Sequence, residues 1–376
     1  MEDITKHIAI IGAGISGLAL GIILKRYNIP CVIFEKSEKI SEYGAGISLS
    51  PNGLKVLKDL DVFKKIKTHS CNPRNGIFFS RSNQIANTSI NVITTSRDLL
   101  HKILYEKYIS MNGNIFFNHE LLDLNLDNKY LNFTNKKIYK PFHTVGADGI
   151  RSKCRQKINN EENLIYSGYS VWRSILFGNQ DDIIFHLDKN VHIVTYPISK
   201  NKISFVAVIK KSEVLKESWK LKGSLEDLSK ELPSKLMQRY FLDNNNSSEI
   251  FKWGVFIRPE IKDLYIDNLT LIGDAAHPIV PFLGQGACLA LEDAYTFGNL
   301  INLYKNDILK SQIKYNHIRL KRVTKIHKMS LNQAKFNHLG NPLAIFLRNS
   351  LMKYTNIISL RTRGIWNYDI TKVLDI

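Results

Sequence analysis

The sequence predicts an α/β fold with a parallel sheet, an inserted and mostly antiparallel sheet, and helices at the C-terminus. The first 35 residues follow a strand–turn–helix–strand pattern, and residues 166–253 contain short strand-like runs of alternating polarity. The α/β pattern returns at residue 269, and a polar-rich helical pattern runs from Ser311 to about His338. The predicted units are 1–165 (parallel-sheet domain, with a short contribution to the inserted sheet around 71–96), 166–253 (inserted sheet), 254–310 (parallel-sheet domain, second part) and 311–376 (basic helices).

The N-terminal unit begins with an apolar, β-branched run that contains Ile8, Ile10 and Ile11. A glycine-rich turn and a helical stretch follow, and a second apolar run from Cys31 to Phe34 ends at Glu35. Short links between such elements favour a right-handed unit of two parallel strands joined by a helix.

The later elements are predicted from caps, alternation and apolar spacing. Ser96 is expected to cap a helix whose apolar positions include Leu100 and Leu104. The remaining predictions are strands at 183–187, 191–198 and 202–210, a helix from Ser224 to about Leu242 closed by the polar loop 243–248, and a small-residue helix around 284–303.

Composition excludes several classes of protein. With 44% hydrophobic and 23% charged residues, the chain is expected to be globular rather than disordered or fibrous. Every apolar run is interrupted before the ~18 residues that a membrane span needs. A secretory signal is not expected, because Glu2 and Asp3 replace a basic start. The four cysteines are isolated in sequence, which argues against a metal site and favours a reducing cytoplasm.

The net charge of +18 is concentrated at the C-terminus, because residues 301–376 carry 14 basic and 3 acidic side chains. Five lysines there fall on one helical stripe, namely Lys314, Lys321, Lys325, Lys328 and Lys335. The pattern favours a solvated helix face that lies outside every catalytic motif. It also leaves open anion steering or contact with nucleic acid or an anionic membrane.

A GxGxxG turn joins the first strand to the first helix, with glycines at positions 12, 14 and 17. Gly12 permits the tight turn, Gly14 lets a pyrophosphate approach the backbone, and Gly17 lets the helix pack closely on the sheet. Glu35 ends the next strand, where a carboxylate can accept hydrogen bonds from a ribose diol. The turn predicts dinucleotide binding without separating NAD from FAD.

Two later motifs distinguish between these cofactors: VGADGIRSKCR at 145–155 and LTLIGDAAHPIVPFLGQGACLALEDA at 269–294. Together with the first turn, with SGYSVWRS at 167–174 and with HIVTYP at 192–197, they make the chain resemble the FAD-dependent aromatic-ring monooxygenases of the salicylate and hydroxybenzoate hydroxylase type. The resemblance covers nearly the whole chain. It implies a Rossmann-like FAD-binding domain, FAD as cofactor, and NADH or NADPH as a transient co-substrate.

The resemblance also implies roles for single residues. Asp274 would contact the ribitol, Asp148 would lie near the pyrophosphate, and Arg97 would lie close to the flavin. The full set of predicted cofactor-binding residues is Gly12, Gly14, Gly17, Glu35, Lys36, Gly46, Arg97, Leu121, Asp148, Asp274, Gly284, Gln285, Gly286 and Ala287. Independently, a helix that opens at Gly284–Gly286 would present N–H groups to the negative charge of a reduced flavin.

The reaction that the resemblance implies begins with reduction of FAD by NAD(P)H and addition of O2 to give a flavin C4a-hydroperoxide. Its distal oxygen is then transferred to an electron-rich ring, in a site that must exclude water and help a phenol to lose its proton. His192 is the candidate base, and Tyr196 shares its face of a strand because side chains alternate. Pro281 would offer a backbone carbonyl to the substrate. A satisfied core histidine and plain sheet packing are the alternatives for His192 and Tyr196, whereas His277 is expected to orient a loop.

The leading prediction is a cytoplasmic monomer or homodimer that hydroxylates a small phenolic or carboxylated aromatic, with no metal and no nucleic acid. A ring hydroxylase of a ubiquinone or other lipid-linked pathway is the alternative enzyme, in which the basic C-terminal helices make peripheral membrane contact. A flavin-containing protein that binds nucleic acid or membrane is the alternative from another class.

Overall fold

The computed structural model describes residues 4–40, 45–159, 164–211, 221–242 and 249–374, so the predicted loop at 243–248 lies outside the described residues. In chain order the strands are β1 (Ile8–Ile11), β2 (Cys31–Phe34), β3 (Gly46–Leu49), β4 (Asn75–Ser80), β5 (Asn83–Ser89), β6 (Ile93–Ser96), β7 (Asn114–Phe116), β8 (Leu121–Asn125), β9 (Tyr130–Phe133), β10 (Ile138–Tyr139), β11 (His143–Gly146), β12 (Ile165–Phe177), β13 (Ile183–Asp188), β14 (Val191–Ser199), β15 (Lys202–Lys210), β16 (Phe251–Ile257), β17 (Tyr265–Ile266) and β18 (Leu269–Leu271). The α-helices are α1 (Ile15–Arg26), α2 (Pro51–Asp59), α3 (Phe63–Thr68), α4 (Arg97–Ser110), α5 (Leu225–Glu231), α6 (Ser234–Met237), α7 (Gly286–Leu303), α8 (Ile308–Asn337), α9 (Pro342–Tyr354), α10 (Ile357–Trp366) and α11 (Ile370–Val373).

A six-stranded sheet in the order β17-β18-β11-β1-β2-β7 forms the centre of the molecule. Its strands are parallel except for β17, and β1 lies between β2 and β11. All four residues of β1 and of β2 are buried, as expected for a sheet covered on both faces. The predicted parallel unit is confirmed, and α1 packs on this sheet and against α7.

A seven-stranded sheet in the order β16-β12-β15-β14-β13-β4-β5 lies beside it. Neighbouring strands are antiparallel except for the β4–β13 pair. Its last two strands, β4 and β5, come from the segment around 71–96 that the sequence assigned to the inserted sheet. The mixed α/β fold class is therefore confirmed, while the division into domains stays a prediction.

The helix predicted from Ser224 to Leu242 is not continuous. Ser224 caps α5 through its hydroxyl, but α5 ends at Glu231, and Leu232 has the extended angles φ −103° and ψ 148°. Pro233 causes this break, because a residue before proline is driven out of the helical region. A four-residue α6 and a single π-helical turn at Gln238–Leu242 follow. The prediction missed the proline.

A buried ion cluster joins α7 to α8. Arg319 donates to Asp293 Oδ1 at 2.7 Å and to Glu292 Oε2 at 2.6 Å, and all three side chains are fully buried. Arg322 donates to the same Glu292 at 2.6 Å, and Asp293 also accepts from the backbone N–H of Gly273 at 2.9 Å. The basic tail is therefore not only a solvated surface, and the expectation that its charge lies apart from every motif was wrong for Arg319 and Arg322.

The lysine stripe of α8 agrees with a solvated face, because four of its five members are exposed. Within the described ranges, no helix is both long enough and apolar enough to cross a membrane. The four cysteines are free thiols, and three of them are buried.

Candidate active site

The glycine turn between β1 and α1 is tightly packed at two of its three glycines. Gly12 has φ +107°, and a Cβ there would meet the carbonyl of Ala147 at 2.5 Å. A Cβ on Gly17 would overlap the carbonyl oxygen of Gly12. Gly14 differs, because a Cβ there would have nothing within 4 Å. Two glycines thus shape the turn, and the third leaves open space in front of it.

Because of this contrast, substitutions at Gly14 and Gly17 should separate an effect on cofactor binding from an effect on folding. We expect Gly14→Ala to leave the stability of the apoprotein unchanged and to weaken FAD binding, because its Cβ enters the space that a pyrophosphate would take. Steric crowding of about 1–3 kcal/mol corresponds to about 5- to 150-fold in affinity. Fluorescence titration of apoprotein with FAD measures the affinity, and urea unfolding measures the stability. Gly17→Ala is the matched control and should destabilise the fold itself; a Gly14→Ala protein with unchanged affinity would contradict the assignment.

Two side chains hold this turn from either side. The Ala13 N–H donates to Glu35 Oε2 at 2.8 Å, and the Ser37 N–H donates to Glu35 Oε1 at 2.9 Å. On the other side, His101 Nε2 donates to the Ala13 carbonyl at 2.6 Å. Each Glu35 oxygen keeps a lone pair for a ribose hydroxyl, and His101 is a supporting residue that the motif did not include.

The Asp148 carboxylate makes its hydrogen bonds within its own loop. Its carboxylate accepts from the Ser152 hydroxyl at 2.6 Å and from the Lys153 N–H at 2.8 Å. Burial raises the pKa of Asp148, and these hydrogen bonds oppose the shift. It holds the shape of the loop, whereas its neighbour Gly149 reaches the cavity.

A cavity of about 510 Å³ lies between the glycine turn, the start of α7 and the seven-stranded sheet. Predicted site residues in its lining are Gly14, Gly46, Arg97, His192, Tyr196, Asp274, Pro281, Gly284, Gln285, Gly286 and Ala287. Those outside the lining are Gly12, Gly17, Glu35, Lys36, Leu121 and Asp148. Leu121 is a buried residue of β8 and Lys36 is exposed, so their predicted cofactor contacts stay predictions.

Asp274 and the loop before α7 form one wall of the cavity. Asp274 sits in a 3₁₀ turn directly after β18 and is exposed to the cavity, while the small Ala275 and Ala276 beside it are buried. His277 pairs with Asp293 of the ion cluster, so it orients this loop as the sequence suggested.

Gln285 at the end of the same wall is buried and donates to the Ser50 hydroxyl at 2.9 Å. Its amide oxygen accepts from Asn52 at 3.1 Å. The side chain therefore fixes the loop, and Gln285, Gly286 and Ala287 all line the cavity.

The seven-stranded sheet carries two of the three candidate catalytic residues, and the third, Pro281, lies on the loop before α7. His192, Val194 and Tyr196 of β14 all line the cavity, which is the shared face that strand alternation predicted. His192 is 3% exposed, and burial, followed by the nearby His338, holds its pKa well below the ordinary value. His192 is therefore neutral at pH 7. Pro281 also lines the cavity, and its carbonyl accepts from the Gly284 N–H at 3.2 Å.

Two residues at or next to the cavity were assigned no role from the sequence: Arg173 lines it, and His338 contacts the lining residue His192. Arg173 of β12 is half-buried, and its guanidinium lies over the Trp253 ring, with 5.4 Å between its Cζ and the ring centroid. Burial lowers the pKa of Arg173, Tyr196 opposes this shift, and the positive charge of Arg97 adds to it. His338, after the last turn of α8, places its Nε2 at 3.1 Å from His192 Nδ1. SGYSVWRS contains Arg173, but no motif contains His338.

The residues present fit a bound dinucleotide with a redox-active ring. Both α1 and α7 begin at the cavity, and the residues that precede them, Gly14 and Gln285, make no side-chain cap. Two uncapped helix N-termini favour negative charge, such as a pyrophosphate or a reduced flavin. Asp274 then supplies an acceptor for a ligand hydroxyl between them.

Comparison with known proteins agrees with this geometry. The family model described as "FAD binding domain" matches residues 5–330. A 3-amino-4-hydroxybenzoate 2-monooxygenase of Streptomyces platensis is 26% identical, covering 90% of this chain and 91% of that protein. The structure of HpxO from Klebsiella pneumoniae, solved with FAD and uric acid, has a TM-score of 0.82 at 20% identity and covers 96% of both chains. A salicylate hydroxylase substrate complex has a TM-score of 0.81 at 19% identity, over 98% of this chain and 97% of that one. The chain therefore belongs to the FAD-binding domain family and is an FAD-dependent monooxygenase of the aromatic hydroxylase type.

Proposed function

We propose that the protein hydroxylates a small phenolic aromatic that carries a carboxylate, with electrons supplied by NADH or NADPH. One observation carries this proposal: a single cavity joins the flavin-side residues to a neutral histidine and a half-buried guanidinium. The similarity to a 3-amino-4-hydroxybenzoate 2-monooxygenase and to a salicylate hydroxylase favours this function over the lipid-linked and nucleic-acid alternatives.

The substrate class follows from the lining of the cavity. The seven-stranded sheet contributes apolar side chains to it, including Val194, Val206 and Val208, which suit the faces of a flat ring. Arg173 offers a planar guanidinium that matches a carboxylate or a phenolate. Since this charge is partly shielded from solvent, an anion beside it is stabilised more strongly than it would be in water.

FAD would be held by the glycine turn, Glu35, Asp274 and the first turn of α7, and when bound it supplies an electrophilic oxygen atom derived from O2. His192 would take the phenolic proton on Nε2, because a phenolate ring is the better nucleophile. Arg173 and Arg97 would stabilise the negative charge that this transfer leaves on the substrate. The apolar sheet face excludes water from the reacting atoms.

We further propose that the protein acts in the cytoplasm as a monomer or homodimer, without nucleic acid. The four free thiols support a reducing compartment. Membrane contact through the C-terminal helices belongs to the lipid-linked alternative, for which co-sedimentation with anionic vesicles is the test.

Spectroscopic titration tests the substrate class. Purified holoenzyme is titrated with benzoate, phenol and the isomeric hydroxybenzoates, while the spectrum of bound FAD is recorded. A hydroxybenzoate should perturb the spectrum at lower concentration than phenol or benzoate, because it uses Arg173 and His192 together. Equal responses to phenol and hydroxybenzoates would remove the carboxylate from the proposal, and no response to any of them would remove the class.

A further inference from the structure

We propose that His338 is a positioning residue that fixes the tautomer of His192, so that the Nε2 lone pair of His192 is the one available to the substrate. The inference rests on the proposed function, in which His192 is the base. It adds a residue from the far end of the chain, 146 positions away.

At the end of α8, the ring of His338 is buried with 5% exposure. Its Nδ1 lies 2.8 Å from the carbonyl oxygen of Ala334. A backbone carbonyl can only accept, and a second carbonyl, that of Val208, lies 3.2 Å from Nε2. The shorter contact with Ala334 assigns the hydrogen of the neutral ring to Nδ1. A neutral imidazole has one N–H, and therefore Nε2 of neutral His338 holds a lone pair.

That lone pair decides the state of His192. The His192 Nδ1 lies 3.1 Å from His338 Nε2, and the two rings meet edge to face with centroids 4.8 Å apart. Because His338 Nε2 can only accept, His192 Nδ1 must donate. The single hydrogen of neutral His192 is thus on Nδ1, and Nε2 is left as the basic nitrogen. Among the described residues nothing bonds to that Nε2, and His192 lines the cavity.

Protonation of His338 would reverse this arrangement. The Val208 carbonyl lies 3.2 Å from His338 Nε2 and would accept from it once that nitrogen is protonated. His192 Nδ1 would then face a donor rather than an acceptor, and its hydrogen would move to Nε2. Nε2 of His192 could then no longer accept the phenolic proton. Activity should therefore be lost at a pH low enough to protonate His338.

The groups around His338 set the pH at which it becomes protonated. Burial lowers the pKa of His338; the Ala334 and Val208 carbonyls oppose this shift, and the charges of Lys210 on β15 and Arg348 on α9 add to it. Tyr169 on β12, whose ring centroid is 4.9 Å away, stays neutral because burial raises its pKa. The net direction is downward, so the acid limb is expected below the ordinary histidine value of 6.5.

Two substitutions separate positioning from packing. His338→Gln keeps an oxygen that accepts from His192 Nδ1 but does not titrate, so activity should be largely retained and the acid limb of kcat/KM should move to lower pH. His338→Leu removes the acceptor and should cost about 10–100-fold in kcat/KM, as loss of an orienting partner does for other functional histidines. The assays use the hydroxybenzoate that the wild-type enzyme converts at the highest rate.

His186→Gln is the matched control. This histidine is also buried in the seven-stranded sheet, but it lies outside the cavity and stacks on Phe79. Its replacement should change neither the rate nor the acid limb. If His338→Leu kept both the rate and the limb of the wild type, the proposal would be overturned.

Nitrogen-15 NMR of histidine-labelled holoenzyme gives a readout that does not need activity. Wild-type and His338→Gln proteins should both show His192 protonated on Nδ1 at neutral pH. A wild-type His192 protonated on Nε2 would overturn the positioning role even if the enzyme were active. If no hydroxybenzoate is hydroxylated, the proposed function fails, and the NMR result still decides the tautomer.

Discussion

His192→Gln is expected to lower the rate of hydroxylation by about 10²–10⁴-fold, the usual contribution of a positioned general base. The reason is geometric and electrostatic together: His192 lies in the cavity lining, and its burial keeps the ring neutral and able to accept a proton. FAD content should be unchanged, because Gly14, Asp274 and the first turn of α7 belong to elements other than β14. Steady-state oxidation of NAD(P)H in the presence of a hydroxybenzoate, with product measured by chromatography, checks the rate.

A fluorinated hydroxybenzoate provides the control for this variant. Its phenol ionises at lower pH, so it needs less help from a base, and the deficit of His192→Gln should shrink with it. The same deficit with fluorinated and ordinary substrates would show that His192 does not take the phenolic proton.

Arg319→Met should cost about 3–5 kcal/mol in the free energy of unfolding, as expected when one partner of a buried ionic network is removed. Burial alone would raise the pKa values of Glu292 and Asp293, but their cationic partners hold both below the ordinary range. Without Arg319, each carboxylate loses one of these partners inside the protein. Urea unfolding of the holoenzyme at neutral pH measures the loss.

The sign of the pH effect follows from the lowered pKa values. Such carboxylates contribute stability above their unfolded pKa of about 4, and this contribution is lost as pH falls through the folded value. Arg319→Met should therefore reduce the acid dependence of stability as well as its magnitude. Lys328→Met on the same helix is the control, because its 3.4 Å pair with Glu260 is exposed and worth about 0–1 kcal/mol. Equal losses for both variants would contradict the role of the cluster.

The parts of the fold that the sequence predicted well are encoded locally. Gly12 needs a positive φ, Ser96 caps α4 through its own hydroxyl, and the β14 residues alternate between faces. In each case the physical cause lies within a few residues of the signal. The break at Pro233 is equally local, and the apolar pattern around it concealed it.

The parts that the sequence could not provide are contacts between distant elements. His338 meets His192 only because α8 packs beside the seven-stranded sheet, and Arg319 reaches Asp293 only because α8 crosses α7. The count of basic residues shows that α8 is positively charged, but it does not show which of its basic side chains point into the protein. A single sequence carries no record of such pairs, so both residues looked like ordinary members of a basic tail.

Labelling with ¹⁸O2 tests whether the oxygen atom that the enzyme adds to the aromatic ring comes from O2. Holoenzyme is incubated with NADH or NADPH, the best-binding hydroxybenzoate and ¹⁸O2, and the product is analysed by mass spectrometry. We expect a dihydroxylated aromatic whose new oxygen atom is ¹⁸O. We also expect the aromatic substrate to increase the rate of NAD(P)H oxidation. A product whose new oxygen comes from water, or NAD(P)H oxidation that yields only hydrogen peroxide with every bound hydroxybenzoate, would contradict the proposed function.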